Sequence, residues 1–247
     1  MNSLMPITLQ PHLTLYTLAL GPMENLVYLL HDTRSGQAAV VDPAWDVPAV
    51  LALARQLDAR ISDVWLTHSH SDHTNGVMAL LAHTDARLHL LKAEAQFWAM
   101  PLVDPVLHHG GDELVLGRHT VRILHTPGHT PGSACYQVGN YLLTGDTVFV
   151  YGCGRCDLRG GDPEQMYHTL RRIITELPPT LTLLPGHHYA AQATSTLAEQ
   201  GAGNPFFHCT EVDRFIRYRM HLHDRIRDTP YAPVTPATVA HLLATPD

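Results

Sequence analysis

The sequence has few lysines, few cysteines and no long apolar run. Lys92 is the only lysine in 247 residues, and the formal charge at pH 7 is −7. Such a chain lacks the basic surface that nucleic-acid binding needs. Four cysteines are too few for a disulfide scaffold, and no apolar stretch is long enough for a transmembrane helix. The N-terminus has no basic segment with a cleavage site, so we expect no signal peptide and a cytoplasmic protein that binds neither nucleic acid nor membrane.

Histidine, by contrast, is abundant, with 19 residues. Three of them and one aspartate fall within the six residues from His68 to His73, directly after an apolar stretch. Neutral imidazole and carboxylate are the ligands that zinc prefers in proteins. A histidine-rich solvated turn is the alternative, and we disfavour it because further ligands follow other predicted strands. The array therefore predicts half of a metal site.

Three more potential ligands each follow a short apolar strand. They are His129, Asp146 after Tyr141–Thr144, and His187 after Leu181–Leu184. Glycines just before them allow the backbone to turn sharply at a strand end. The resulting set is too large for one tetrahedral ion and suits two, with a lone aspartate well placed to bridge them. Its members are His68, His70, Asp72, His73, His129, Asp146 and His187.

Strand-like and helical segments alternate along the chain. Glu24 to Leu30 and Gln37 to Val41 are typical of a hairpin, and Val47 to Leu57 of a helix whose N-cap is Asp46. More strands follow the histidine array, and Pro163 to Leu177 has the pattern of an amphipathic helix. This order predicts an α/β protein in which two mixed sheets pack together with helices outside, a four-layer αββα sandwich.

The array at Thr67–His73, the His129 loop, the Gly145-Asp146 loop and the Pro185-Gly186-His187 loop together resemble the metallo-β-lactamase superfamily. The resemblance implies the αββα sandwich, with residues 1–192 as the catalytic domain and 193–247 as a C-terminal helical extension packed on it. It also implies that His68, His70 and His129 hold one Zn²⁺, that Asp72, His73 and His187 hold the other, and that Asp146 bridges them. The bridging aspartate is similar to that of the glyoxalase II branch.

This resemblance implies a metal-dependent thioester hydrolase. A hydroxide that bridges two metals is a nucleophile at neutral pH, and a metal polarises the carbonyl that it attacks. A thioester is a suitable substrate because its thiolate leaves without a strong general acid. Asp146 and Asp72 are the catalytic carboxylates, and Asp72 is expected to orient the hydroxide.

Two other functions are open. The segment from Gly145 to Asp157 is also similar to persulfide dioxygenases of the superfamily, which hold one Fe²⁺. The matching ligands here are His70, His129 and Asp146, a facial triad that leaves positions for dioxygen and a glutathione persulfide. A carrier-protein binding module that does not need its metal is a third possibility, and the complete ligand set argues against it.

The loop after Asp146 bears on the choice of substrate. In glyoxalase II enzymes it carries a basic residue followed by aromatic residues that hold glutathione, and Arg155 matches the basic position. Cys156 and Asp157 depart from that pattern. The Gly-Cys-Gly-x-Cys sequence is instead similar to hydrolases associated with trans-acyltransferase polyketide synthases, which implies an acyl carrier protein as partner. We read Cys153 as a small buried residue and Cys156 as a candidate for substrate binding.

Arginines of the C-terminal segment are further candidates for substrate binding. Arg214 and Arg217 share a helix face by spacing and could bind a carboxylate, a phosphate or an acidic helix. A solvated face that pairs with nearby acidic residues is the alternative reading. Tyr189, Phe206 and Phe207 are candidates for the acyl pocket, and core packing is the alternative that we favour by default. The neighbouring arginines carry no separate prediction: Arg219, Arg225 and Arg227.

Overall fold

The computed structural model describes residues 5–102, 104–226 and 229–244. Its strands are β1 (Ile7–Gln10), β2 (Leu13–Leu20), β3 (Asn25–Asp32), β4 (Gln37–Val41), β5 (Arg60–Trp65), β6 (Arg87–Leu91), β7 (Val106–His108), β8 (Glu113–Leu116), β9 (His119–His125), β10 (Ala134–Val138), β11 (Tyr141–Gly145), β12 (Val148–Phe149), β13 (Gly152–Cys153), β14 (Thr182–Pro185) and β15 (Ser195–Thr196). Its α-helices are α1 (Val47–Gln56), α2 (Ser71–Thr74), α3 (Val77–Leu81), α4 (Lys92–Trp98), α5 (Pro163–Glu176), α6 (Leu197–Gly203), α7 (Val212–Arg217), α8 (His223–Ile226) and α9 (Pro236–Ala244). A 3₁₀ turn spans Pro205–His208, and a π-helical turn spans Tyr218–Leu222.

Two mixed sheets form the centre of the molecule. The first has the strand order β1-β2-β3-β4-β5-β6-β7, and the second has the order β15-β14-β11-β10-β9-β8. In the first sheet the pairs from β1 to β4 are antiparallel and those from β4 to β7 are parallel. In the second, β11 and β14 run parallel, so their carboxyl ends lie side by side. This parallel pair determines where the ligand loops emerge.

Alternating side chains of β3 show how the layers are built. Leu26, Tyr28 and Leu30 face the second sheet and join the core between the sheets, while Val27 and Leu29 face the helices outside. Successive side chains of a strand point to opposite faces, so a strand covered on both faces is apolar throughout. Each large apolar side chain buried in this way contributes roughly 1.5–3 kcal/mol to folding.

Helices cover the outer faces of both sheets. On the first sheet, α1 begins at its N-cap Asp46, whose side chain accepts a hydrogen bond from Ala49 N. On the second, α5 begins at Asp162, which caps Gln165 N, and Pro163 occupies the first turn. These caps satisfy backbone N–H groups that have no partner within the helix. The four layers confirm the predicted αββα sandwich.

The C-terminal segment packs on the outer face of the second sheet. Phe206, Phe215, Val239 and Leu243 join the same apolar cluster as Leu170 of α5. Its helices are short and irregular. The division at residue 192 stays a prediction. Within the described residues, no helix is long and apolar enough to cross a membrane.

Candidate metal centre

The predicted ligands lie on loops at one edge of the two sheets. Asp146 directly follows β11, and His187 lies two residues beyond β14, its parallel neighbour. Gly186 N donates to Gly145 O over 2.8 Å, which holds these two loops together. A Cβ atom at Gly186 would lie 2.5 Å from Asp146 Oδ1, so only glycine permits this approach. The loop after β5 carries His68–His73 to the same edge.

The structure brings six of the seven predicted ligands together in two groups of three. His68, His70 and His129 offer ligand atoms that all lie within 4.8 Å of one another. Asp72, His73 and His187 form a second group by the same measure. His70 Nδ1 lies 2.8 Å from His129 Nε2, and His73 Nε2 lies 3.1 Å from His187 Nε2. Each group supplies three donors, as zinc sites with an open position do.

Asp146 lies between the two groups. Its Oδ2 is 3.5 Å from His129 Nε2 in the first group and 3.3 Å from His187 Nε2 in the second. Its Oδ1 is 3.3 Å from His73 Nε2. One carboxylate therefore faces donors of both groups, the position that a bridging ligand requires.

Hydrogen bonds from the far ring nitrogens orient the imidazoles. His73 Nδ1 donates to Asp42 Oδ2 over 3.0 Å, His129 Nδ1 to Arg155 O over 2.7 Å, and His187 Nδ1 to Met23 O over 2.7 Å. These bonds fix the tautomer that leaves Nε2 free to bind a metal. The centre thus has both the donors and the outer partners that metal-binding histidines use.

His68 gives a direct test of whether a metal fits. Its Nε2 is buried and has no hydrogen-bond partner among the described residues. Burial, with His73 nearby, keeps the pKa of His68 well below its ordinary value, and burial lowers the pKa of His129 to about 4. Neutral imidazole is the form that binds metal. Burying a polar nitrogen such as His68 Nε2 without a partner costs free energy, and a bound cation would remove that cost. The residues of the centre therefore fit a metal ion.

The second group attracts positive charge. Burial acts to raise the pKa of Asp72, but hydrogen bonds with His187 and Asn25 and the charge of His73 together outweigh it, and the pKa falls to about 2. Burial acts to lower the pKa of His187, but the charge of Asp146 and hydrogen bonds with Asp146 and Asp72 together outweigh it, and the pKa rises to about 9. Two carboxylates at the centre therefore favour a cation beside them.

Glu94, on α4, connects two ligand loops and was missed in the sequence. It is 1% exposed. Its Oε1 accepts hydrogen bonds from Ser69 N (2.7 Å) and Ser69 Oγ (2.6 Å), between His68 and His70. Its Oε2 accepts from Thr130 Oγ1 (2.8 Å) and Gly132 N (3.0 Å), beside His129. One carboxylate therefore sets the distance between the loops that carry the first group.

Asp42 and Asn25 support the second group and were also missed. Asp42 accepts from Thr67 N over 2.7 Å as well as from His73. Asn25 Nδ2 donates to Asp72 Oδ2 over 3.0 Å, and Trp45 Nε1 donates to Asn25 Oδ1 over 2.8 Å. Asp42 follows the apolar strand β4 just as Asp146 follows β11, so the pattern that identified Asp146 also marks Asp42. No comparable pattern marks Asn25 or Glu94.

A cavity of about 520 Å³ opens over the centre. Of the predicted substrate-binding residues, Arg155 and Tyr189 line it. The Tyr189 ring stacks on His187 with centroids 4.8 Å apart. Cys156 is placed differently from our prediction: it is buried outside the lining, while Cys153 lines the cavity. Both thiols donate to Gly154 O, over 3.5 Å from Cys153 and 3.7 Å from Cys156.

The C-terminal arginines are also placed differently from our prediction. Arg214 and Arg217 do not line the cavity, and Arg217 donates to Leu243 O over 2.7 Å. Arg219 lines it instead, 2% exposed and paired with both oxygens of Asp224. Arg214 and Arg217 both lie on α7, whereas Arg219 lies on the π-helical turn that follows it. Arg227 lies outside the described residues.

Comparison with known proteins agrees with this geometry. The model of the metallo-β-lactamase superfamily matches residues 20–187. A relative named probable polyketide biosynthesis zinc-dependent hydrolase BaeB, from Bacillus velezensis, is 31% identical over 79% of this chain and 87% of its own. A hydroxyacylglutathione hydrolase of Pseudomonas aeruginosa is 40% identical over 67% of this chain and 62% of its own.

Solved structures show the same fold over most of the chain. The crystal structure of ETHE1 from Myxococcus xanthus has a TM-score of 0.75 and 28% identity, and the match covers 92% of this chain and 98% of that one. The family match spans every predicted ligand, from His68 to His187. The chain therefore belongs to the metallo-β-lactamase superfamily.

Proposed function

We propose that this protein is a zinc-dependent hydrolase that cleaves acyl thioesters. The observation that carries the proposal is the position of Asp146 between two three-donor groups. Two groups with a shared carboxylate suit two Zn²⁺ ions better than one ion. The names of the relatives from Bacillus velezensis and Pseudomonas aeruginosa, both hydrolases, support the same reaction class.

Different residues would hold the metal ions and orient the attacking water. In this proposal His68, His70 and His129 hold one zinc, and Asp72, His73 and His187 hold the other. Zinc bound there lowers the pKa of water and polarises a carbonyl. Asp72, held by Asn25, and Asp146 both line the cavity, where their carboxylates accept hydrogen bonds from the attacking water and orient it.

The cavity favours a thiol carrier without carboxylates. Both arginines that line it are paired: Arg155 Nε and Nη2 bind Asp157 over 2.7 and 2.6 Å, and Arg219 binds Asp224 over 2.7 Å. Glutathione presents two carboxylates, which would compete with these aspartates for the guanidinium groups. A pantetheine arm presents neutral amides instead. We therefore place acyl-pantetheine thioesters, including acyl carrier protein, ahead of glutathione thioesters.

A panel of thioesters tests this proposal. The zinc-loaded protein is assayed with acyl-N-acetylcysteamine, acyl-CoA, an acyl carrier protein and lactoylglutathione, with release of thiol as the readout. We expect the pantetheine-linked substrates to give higher kcat/KM than lactoylglutathione. The variant Asp146→Asn should lose at least about 100-fold in kcat, since it removes the shared carboxylate. The exposed Asp85→Asn is the matched control and should keep full activity.

A second function is favoured by one feature of the same centre. His70, His129 and Asp146 lie together and suit a single Fe²⁺ in a persulfide dioxygenase. The similarity to the ETHE1 structure fits this alternative. Oxygen consumption by the iron-loaded protein with glutathione persulfide, together with no turnover of any thioester, would replace the hydrolase proposal with this one.

A further inference from the structure

A second cavity lies within the C-terminal helical segment. Its volume is about 310 Å³, at the lower end of the range for small-molecule pockets. Most of the side chains that line it are apolar or aromatic, and we name it the apolar groove after these residues: Tyr218, Ile226, Tyr231, Val234, Thr238 and Leu242. Ile226 is 41% exposed in this groove. An accessible apolar hollow of this kind indicates a site for an apolar ligand.

The apolar groove adjoins the metal cavity. Tyr231 lines both of them. Its ring rests against Gly152, where a Cβ atom would lie only 2.7 Å from Tyr231 Cε2, and its backbone N donates to Tyr189 O over 2.7 Å. The common wall is therefore held firmly in place.

A run of aromatic rings connects the metal centre with the groove. From His187 the ring centroids step 4.8 Å to Tyr189, 5.6 Å to Tyr231 and 5.7 Å to His223, which lines the groove. Tyr231 lines both cavities, so its ring marks the place where an apolar chain from the metal centre would enter the groove.

The two cavities differ in chemistry. Histidine, aspartate and arginine side chains dominate the lining of the metal cavity, whereas the apolar groove offers chiefly hydrocarbon surface. A short polar acyl group such as lactoyl would stay within the metal cavity. Only a longer apolar acyl chain would bury surface in the groove, and burial of apolar surface is favourable in proportion to its area.

We propose that the apolar groove binds the alkyl chain of the acyl group, so that the preferred substrates are thioesters of medium-length apolar acids. This inference rests on the proposed thioester hydrolase function and adds the class of acyl group. A groove of about 310 Å³ has room for several methylene groups of such a chain.

Binding of thioethers, which cannot be hydrolysed, tests the inference without relying on turnover. Titration calorimetry compares S-decylpantetheine with S-ethylpantetheine on the zinc-loaded protein. Each methylene that enters the groove should improve affinity roughly fourfold, so we expect the decyl compound to bind at least tenfold more tightly. Thr238→Trp fills the groove from α9 and should abolish this difference. Ala240→Trp, an exposed position on the same helix outside the groove lining, should retain it.

The outcomes separate this inference from the proposed function. Equal affinity for the two thioethers in the unmodified protein, or a decyl preference that Thr238→Trp leaves intact, would overturn the groove as an acyl site. Hydrolysis assays with decanoyl-pantetheine and acetyl-pantetheine run in parallel. A decyl preference without hydrolysis of any thioester refutes the proposed function and leaves the groove as an alkyl site.

Discussion

Glu94 gives the most specific prediction about how the metal centre is held. Its carboxylate accepts four hydrogen bonds, two from Ser69 and one each from Thr130 Oγ1 and Gly132 N. In Glu94→Gln, one of the two oxygens becomes an NH₂ group that cannot accept. The new NH₂ group then faces either the two donors of Ser69 or the donors of Thr130 and Gly132, and those donors lose their acceptor.

The size of the effect follows from these contacts. A buried donor left without its acceptor costs about 1–3 kcal/mol, so Glu94→Gln should lower the free energy of unfolding by about that amount. The loops of His68, His70 and His129 should also lose their fixed spacing. Loss of an outer partner of metal ligands typically costs about 10–100-fold in metal affinity, and we expect a loss in that range for zinc.

Two assays check this prediction. Urea unfolding of the metal-free protein gives the change in stability, and competition with a chromophoric chelator gives the zinc affinity. Glu113→Gln, at an exposed position of β8, is the matched control and should change stability by less than about 0.5 kcal/mol. If Glu94→Gln binds zinc as tightly as the unmodified protein, Glu94 does not position the ligand loops.

Three further predictions concern other parts of the molecule. Asp42→Asn presents an amide to the ring of His73 and should weaken zinc binding by about 10–100-fold; unchanged affinity in the chelator assay argues against this orienting role. Asp162→Ala removes the N-cap of α5 and should cost about 1 kcal/mol in urea unfolding while kcat/KM stays the same, whereas a loss of activity would place Asp162 in the catalytic machinery. Free zinc at about 100 times its Kd should stabilise the fold by about 2.7 kcal/mol for each zinc site in thermal unfolding, and an unmoved Tm would show that the centre does not bind zinc in the native state.

The side chains that the sequence singled out lie together in the structure because their positions follow a local rule. Each ligand loop comes directly after an apolar strand, and strand ends of one sheet edge converge in space. Helix α1 was predicted with its N-cap, because Asp46 and Pro48 are typical start signals.

Other features could not be predicted because they depend on contacts distant in sequence. Glu94 contacts Thr130 across 36 positions, and nothing in the local sequence of α4 indicates this. The chain after the histidine array forms two short helices, α2 and α3, and between them Gly76 N donates to Pro43 O, 33 positions away. Arg219 lines the cavity from the π-helical turn, and the sequence pattern carried no separate prediction for it.

Titration of the metal-free protein with zinc tests the central claim most directly. Thioester hydrolysis and bound zinc, the latter by native mass spectrometry, are measured on the same samples. The account predicts that activity rises to a plateau at two zinc ions per chain, because Asp146 serves two groups of ligands. Full activity at one zinc per chain would contradict the two-metal centre. A protein that binds zinc and hydrolyses no thioester would contradict the proposed function.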